Sequence, residues 1–237
     1  MSTVASTTPA RTTSAQAASA RATSAYRAGL TLLVVAAVYE ATARSGAFPP
    51  ALLPTLPKVA ATLWELLLDG TMLEHAAYTM YRVLFGLALA VAVGLPLGIL
   101  MGWYSRVDAV LDPFVSALYA TPRIALLPLV MIWFGIGLMS KVAIVFLGAI
   151  FPILVNTITG VRTVNADFVK VARSFGSNDW QMFLTVVLPS SVPLLLTGLR
   201  LGLGHALVGI VVGEMYGATH GLGFLIATAG ARFRPTR

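Results

Sequence analysis

Arg123, Asn156, Arg200, His205 and Glu214 stand in or beside long apolar runs of this sequence. A charge in hydrocarbon costs at least about 2.5–3.5 kcal/mol and persists only with a partner or a polar cavity. Together these residues could line a polar path for an anion. Singly, each could equally hydrogen-bond a neighbouring helix or mark a span boundary. Other chemistries find no footing. His75, His205 and His220 lack metal-ligand spacing, and no Gly-rich loop ends in Lys-Ser/Thr to cradle phosphates. The absence of cysteine excludes disulfides, thiolate ligands and a Cys nucleophile. No Ser/His/Asp arrangement can be nominated, so neither a catalytic residue nor a cofactor is expected. Trp133 and Phe134 read as packing or interface residues.

The elements that must position these groups follow from composition. The 237 residues are 57% hydrophobic and 11% charged, against an apolar share of about 45–50% in soluble domains. Apolar runs near the roughly 20 residues that span a bilayer core recur along the chain. This pattern predicts an all-α polytopic membrane helix bundle with five spans, at 28–43, 81–101, 124–136, 142–161 and 193–212. The third is short, and its helix could begin before the Pro122 break. The net charge of +7 does not point to nucleic acid, because the basic residues cluster between apolar runs rather than interleaving with aromatics.

Residues 1–27 are rich in Ala, Ser and Thr, carry Arg11, Arg21 and Arg27, and lack any acid. They read as a disordered cytoplasmic tail, with an organellar transit peptide as the alternative. Residues 28–80 hold the first span and a long external segment, and 81–226 the core. Residues 227–237 form a short basic end. The Lys/Arg bias of the connecting segments places the N-terminus in the cytoplasm. Ladders of small residues at four-residue spacing (Gly94, Gly98 and Gly102; Gly198 and Gly202; Gly209 to Gly221) predict close helix contacts.

The segment 163–189 interrupts this apolar chain with Lys170, Arg173, Asn178, Asp179 and Gln181. Thr163 or Asn165 can cap a helix whose apolar face is Val164, Phe168, Val171, Ala172 and Phe175. Gly176 reads as its stop, and Ser177 as the cap of a second short helix, Asn178 to Val187, closed by Pro189. The residues alone predict a two-helix knob on the cytoplasmic face, or an amphipathic linker lying on the headgroups.

The punctuation of that segment resembles the cytoplasmic loop of ABC importer permeases, E-A-A-x3-G-x9-I-x-L-P. Lys170-Val171-Ala172, Gly176, Val186 and Leu188-Pro189 keep every interval, with Lys170 in place of Glu. Leu111-Asp112-Pro113, Leu127-Pro128, the run from Ile132 to Gly137, Ser140-Lys141 and Phe151-Pro152 are similar to the permeases for nitrate, taurine and alkanesulfonates. So are Gly160-Val161-Arg162, Gly198-Leu199-Arg200, the run from Val212 to Met215 and Gly221-Leu222-Gly223. The resemblance covers roughly residues 53–226. It implies a permease subunit, working as a dimer in the bacterial inner membrane, whose loop 163–189 seats on a separate ATP-binding cassette subunit. It also implies a periplasmic or lipid-anchored solute-binding protein as partner. Lys170, Val171, Ala172, Gly176, Leu188 and Pro189 would then carry ATPase coupling. Arg123, Asn156, Arg200, His205 and Glu214 stay as candidates for the substrate path. A small anion is expected as solute, with a vitamin precursor or aromatic acid as alternative. An ATP-independent channel or carrier would need no such loop, and a membrane-embedded enzyme is disfavoured by the lack of a nucleophile or metal cluster. The family's sixth span is missing from the expected pattern, which suggests a truncated chain or a five-span variant whose last helix comes from its dimer mate.

Overall fold

The computed structural model describes residues 14–50 and 52–232; the first 13 residues of the expected tail and the last five of the basic end lie outside them. All regular structure among the described residues is helical. Two compact units divide the chain, residues 1–66 and 67–237.

The first unit is built on α1, Ser14–Arg44. The helix starts well before the first apolar run, so 14–27 are helical where disorder was expected. Alanine explains the difference: it buries little, yet it is the best helix former. Gly46, at φ +74°, and the Pro49-Pro50 pair follow the helix end and prevent its continuation. Glu40 then caps α2 (Leu56–Leu68), accepting from the Leu56 amide at 2.8 Å. Tyr39 donates to the Pro54 carbonyl at 2.9 Å.

The second unit is a bundle of three long helices: α3 (Thr71–Trp103), α6 (Leu138–Arg162) and α9 (Leu188–Met215). Gly86, Ala90, Gly94, Gly98 and Gly102 form a small-residue stripe on α3. A Cβ added at Gly86, Gly94 or Gly98 would come within 2.6–3.2 Å of Val145, Ile153 or Thr157 on α6. The numbers rise together along both helices, so α3 and α6 run parallel. Gly198 and Gly202 of α9 press on Pro152, Ala149 and Ile153 in the opposite sense, so α9 is antiparallel. The expected ladders 94–102 and 198–202 are therefore contacts that hold the bundle; of the third, Gly209 and Gly213 face Ile144, whereas Gly217 and Gly221 lie beyond the end of α9, in a turn at φ +133° and +119°. The contacts place α6 at the centre of the bundle: 67% of its apolar window is buried, against 28% for α3 and 22% for the α9 helix. Val83, Ala90, Val145, Ala149, Ile153, Ala206 and Ile210 form the core.

Because α3 and α6 are parallel, the chain must return across the bundle between Trp103 and Leu138. It does so as a bent pair. Helix α4 (Ser105–Ala120) stops at Thr121, which the following proline holds extended at φ −72°, ψ 131°. A 3₁₀ turn, Arg123–Leu126, then leads into α5 (Leu127–Phe134). The two halves meet at 85°. The expected single span at 124–136 is thus the second half of a broken one. Three helices among the described residues are long and apolar enough to cross a membrane, four with the bent pair. Five spans were expected. The expected first span, 28–43, forms the second half of α1 and is not among the four. The remaining three spans extend further than expected, to 71–103, to 138–162 and, for the last, to an unbroken 37-residue helix Asp179–Met215.

Candidate functional site: a capped arm, a cleft and a buried ion pair

The arm between α6 and α9 is built by local signals. Helix α7 (Ala166–Ser174) is capped by Asn165, whose side chain accepts from the Asp167 amide at 2.8 Å. Gly176, at φ +79°, closes it: the Ser177 amide donates to the Ala172 carbonyl at 3.2 Å and the Gly176 amide to Arg173 at 2.9 Å. This pair of reversed bonds is a Schellman motif, and only glycine adopts that φ without strain. The next cap is Asn178, not Ser177. Its side chain accepts from the Gln181 amide at 2.8 Å, while the Gln181 side chain accepts from the Asn178 amide at 3.0 Å, a reciprocal capping box.

Pro189 does not close the second helix as expected. Helix α8 (Asp179–Met182) passes into one π-helical turn, Phe183–Val187, and straight on into α9. A proline in an α-helix lacks its amide and crowds the carbonyl four residues back. The wider turn relieves both, with the Leu188 amide reaching back five residues to the Phe183 carbonyl.

The arm presents an apolar face. Phe168, Val171, Ala172, Phe175, Thr185 and Val186 line a groove of about 420 Å³, and Phe175 is 85% exposed. Lys170 lies on the solvated side, 3.3 Å from Asp167, with both side chains more than three-quarters exposed. A pair that exposed contributes at most about 1 kcal/mol. Leu188 is half-buried and Pro189 exposed.

On the side of the bundle, the structure brings half-buried Arg123 and exposed His205 to one open cavity of about 280 Å³, beside the Thr121-Pro122 break. Arg123 Nη1 donates to the Gly148 carbonyl at 2.9 Å, and its guanidinium lies 5.4 Å and 5.8 Å from the Tyr119 and Phe151 ring centres. The other three candidates do not join them. Asn156 donates to Pro152 of its own helix at 2.8 Å, at the contact with Gly198. Arg200 is exposed and makes no hydrogen bond or ion pair among the described residues.

Glu214 lies at the end of the bundle opposite the arm, with no exposed surface. Its carboxylate accepts from Thr79 Oγ1 at 2.8 and 3.0 Å, from Arg82 Nη1 at 2.6 Å and from the Gly223 amide at 3.0 Å. Arg82 also donates to the His220 carbonyl at 2.7 Å, Lys141 to Gly217 at 2.7 Å, and the Gly221 amide to His75 Nδ1 at 2.9 Å. These bonds tie the turn 216–221 onto α3 and α6. A side chain at Gly221 would run into the Glu214 carboxylate. Glu214 is therefore saturated by Thr79, Arg82 and the Gly223 amide and does not border the Arg123 cavity; it locks the bundle end. The sequence reading missed Thr79, Arg82 and Lys141. Arg82 carried a usable signal, since it sits at the start of an apolar run just as Glu214 sits at the end of one.

Comparison with known proteins gives this arrangement its place. The binding-protein-dependent transport system inner membrane component family matches residues 94–236. SsuC of Bacillus subtilis (strain 168), named for aliphatic sulfonates transport, is 36% identical over 83% of this chain and 71% of its own length. The taurine transport system permease TauC of Escherichia coli (strain K12) is 35% identical, covering 84% and 74%. The formylaminopyrimidine transport permease ThiX of Halalkalibacterium halodurans is 34% identical, covering 82% and 77%. The chain thus belongs to the binding-protein-dependent inner membrane components: it is a multi-pass permease subunit of an ABC importer, a transport subunit rather than an enzyme in its own right.

Proposed function

We propose that two copies of this chain form the membrane passage of an importer for a small organic or inorganic anion of the sulfonate, taurine or nitrate type. Each arm seats in a groove of a separate ATP-binding subunit, and a solute-binding protein delivers cargo at the opposite end. The arm then faces the cytoplasm and the Glu214 end faces outward; with the 28–43 stretch of α1 as a further span, the N-terminus is cytoplasmic as well. Nucleotide binding shifts the pair between inward- and outward-open states because the ATP-binding subunits fit one arm spacing better than the other. The observation that carries this reading is the arm itself. It is a rigidly capped helix pair with Phe168, Val171 and Phe175 exposed, an apolar surface standing off the membrane bundle that calls for a protein partner. Relatives named for taurine and aliphatic sulfonates transport, together with the uncompensated cation Arg123, support an anion as cargo. The relative named for formylaminopyrimidine keeps a vitamin precursor as a second reading.

Gly176→Val tests coupling. Holding a β-branched residue at φ +79° costs about 1–2 kcal/mol or more, so the elbow opens or twists. The variant should insert normally and lose most of the ATP hydrolysis stimulated by the loaded binding protein. Hydrolysis at the wild-type rate, with uptake intact, would remove the arm from this role.

A further inference from the structure

The cavity beside the α4–α5 break combines three features that the bundle itself does not explain. Its first is depth. Gly148, which holds Arg123, lies ten residues after Leu138, the start of α6, or about 15 Å at 1.5 Å per residue. That is the middle of a hydrocarbon core about 30 Å thick. The second is backbone. Non-helical chain at this depth is tolerated only where protein buries it or where it lines a cavity, and Thr121 and Pro122 line this one. The third is charge. Arg123 has five N–H donors and uses one on Gly148; two aromatic rings hold its guanidinium plane, and no carboxylate pairs with it among the described residues. His205 lines the same space, its ring likewise without a hydrogen bond among the described residues.

We infer that this cavity is a mid-membrane binding site for an organic monoanion with a short apolar body, its acid group on Arg123 and His205. The inference rests on the anion reading above and narrows it. A free cation with spare, pre-oriented donors is completed by an anion from outside the chain. Thr121 spends its hydroxyl proton on the Ala117 carbonyl at 2.9 Å, and the other side chains of the wall are apolar, among them Ile124, Leu127, Val130, Ile144 and Val208. Such a wall offers nothing to replace the hydration of nitrate or sulfate on the side away from Arg123, but it covers an alkyl chain of a few carbons. The site is therefore a second sieve inside the permease, selecting chain-bearing acids after the binding protein has made its choice.

The test uses the complete transporter, permease with its ATP-binding subunit, in nanodiscs without the binding protein. Binding is measured for nitrate and for the alkanesulfonates from methyl to hexyl. Wild type should bind the alkylated anions at least tenfold more tightly than nitrate, with affinity rising over the first few carbons. Arg123→Gln should abolish binding, and Arg123→Lys should restore part of it. Val208→Phe, on the open side of the cavity, should leave the short chains bound and reject the long ones. Elution with the ATP-binding subunit shows that each variant is folded. Preference for nitrate, undiminished binding in Arg123→Gln, or a chain-length profile that Val208→Phe does not alter, overturns the inference while leaving an anion importer standing. ATP-driven uptake by the full system of a neutral or cationic solute only overturns both.

Discussion

Glu214→Ala removes one carboxylate and strands several donors at once. Thr79 Oγ1 and the Gly223 amide lose their acceptor, Arg82 Nη1 keeps only the His220 carbonyl, and Arg82 and Lys141, 9% and 1% exposed, stay behind as buried cations with no acid. Removing one partner of a buried ion pair typically costs about 3–5 kcal/mol, because the other charge remains desolvated. For a chain of this size about 1 kcal/mol moves the melting midpoint by roughly 2–4 °C, so a fall of about 6–20 °C is expected. Thermal unfolding of the purified permease complex in detergent, followed by loss of the monodisperse peak, reads it directly. Arg82→Met should fall by a similar amount, since it leaves Glu214 with Thr79 and a backbone amide alone. The pair is the decisive case. Glu214→Ala with Arg82→Met removes both charges, and its loss should be smaller than the sum of the singles by about 2 kcal/mol or more. Strictly additive losses, or a Glu214→Ala midpoint within 2 °C of wild type, would show that the network does not lock this end.

Two further outcomes follow from packing and exposure. Gly98→Ile should cost about 1–3 kcal/mol, because its Cβ would sit 2.7 Å from the Thr157 Cβ, whereas Gly204→Ala, with nothing within 4 Å, should be neutral in the same unfolding assay. Arg200→Ala should leave yield and midpoint unchanged and lower anion uptake about 10–100-fold if its free guanidinium meets the solute, the worth of one charge-assisted hydrogen bond; a stability loss with normal uptake would make it a packing residue.

What could be read from the sequence was what is encoded locally. The elbow at Gly176 needs one residue with positive φ, and its caps lie within four residues, so the arm was legible. The cap slipped by one position because Ser177, Asn178 and Asp179 can all cap a helix start; the glutamine three after Asn178 was the discriminating signal. The ladders 94–102 and 198–202 were legible for the same reason, since a four-residue repeat is one helix face; Gly217 and Gly221 kept the spacing by chance, past the helix end. Pro189 was misread as a stop because nothing in a linear pattern announces a π turn. Glu214 was placed on the solute path because its partners, Thr79 and Arg82, sit more than 130 residues away. A lone carboxylate in an apolar run looks the same whether a solute or a helix neighbour answers it. Arg123 and His205 carried the same ambiguity, and only the fold shows that they share one space.

The π turn at Phe183–Val187 joins the arm to a rod that runs on to Met215 without a hinge. A π turn holds one residue more than the α-helix it replaces, and each helical residue advances the chain by about 100° of rotation. Deleting a single residue there, Thr185 for instance, would restore α-helical hydrogen bonding, leaving Pro189 to clash again. It would also swing everything before it by about 100° about the α9 axis. The bundle would be untouched, yet Phe168, Val171 and Phe175 would point to a different quarter of the compass. The direction in which the arm meets its partner is thus written in chain length, as a phase, rather than in the identity of any residue on its face.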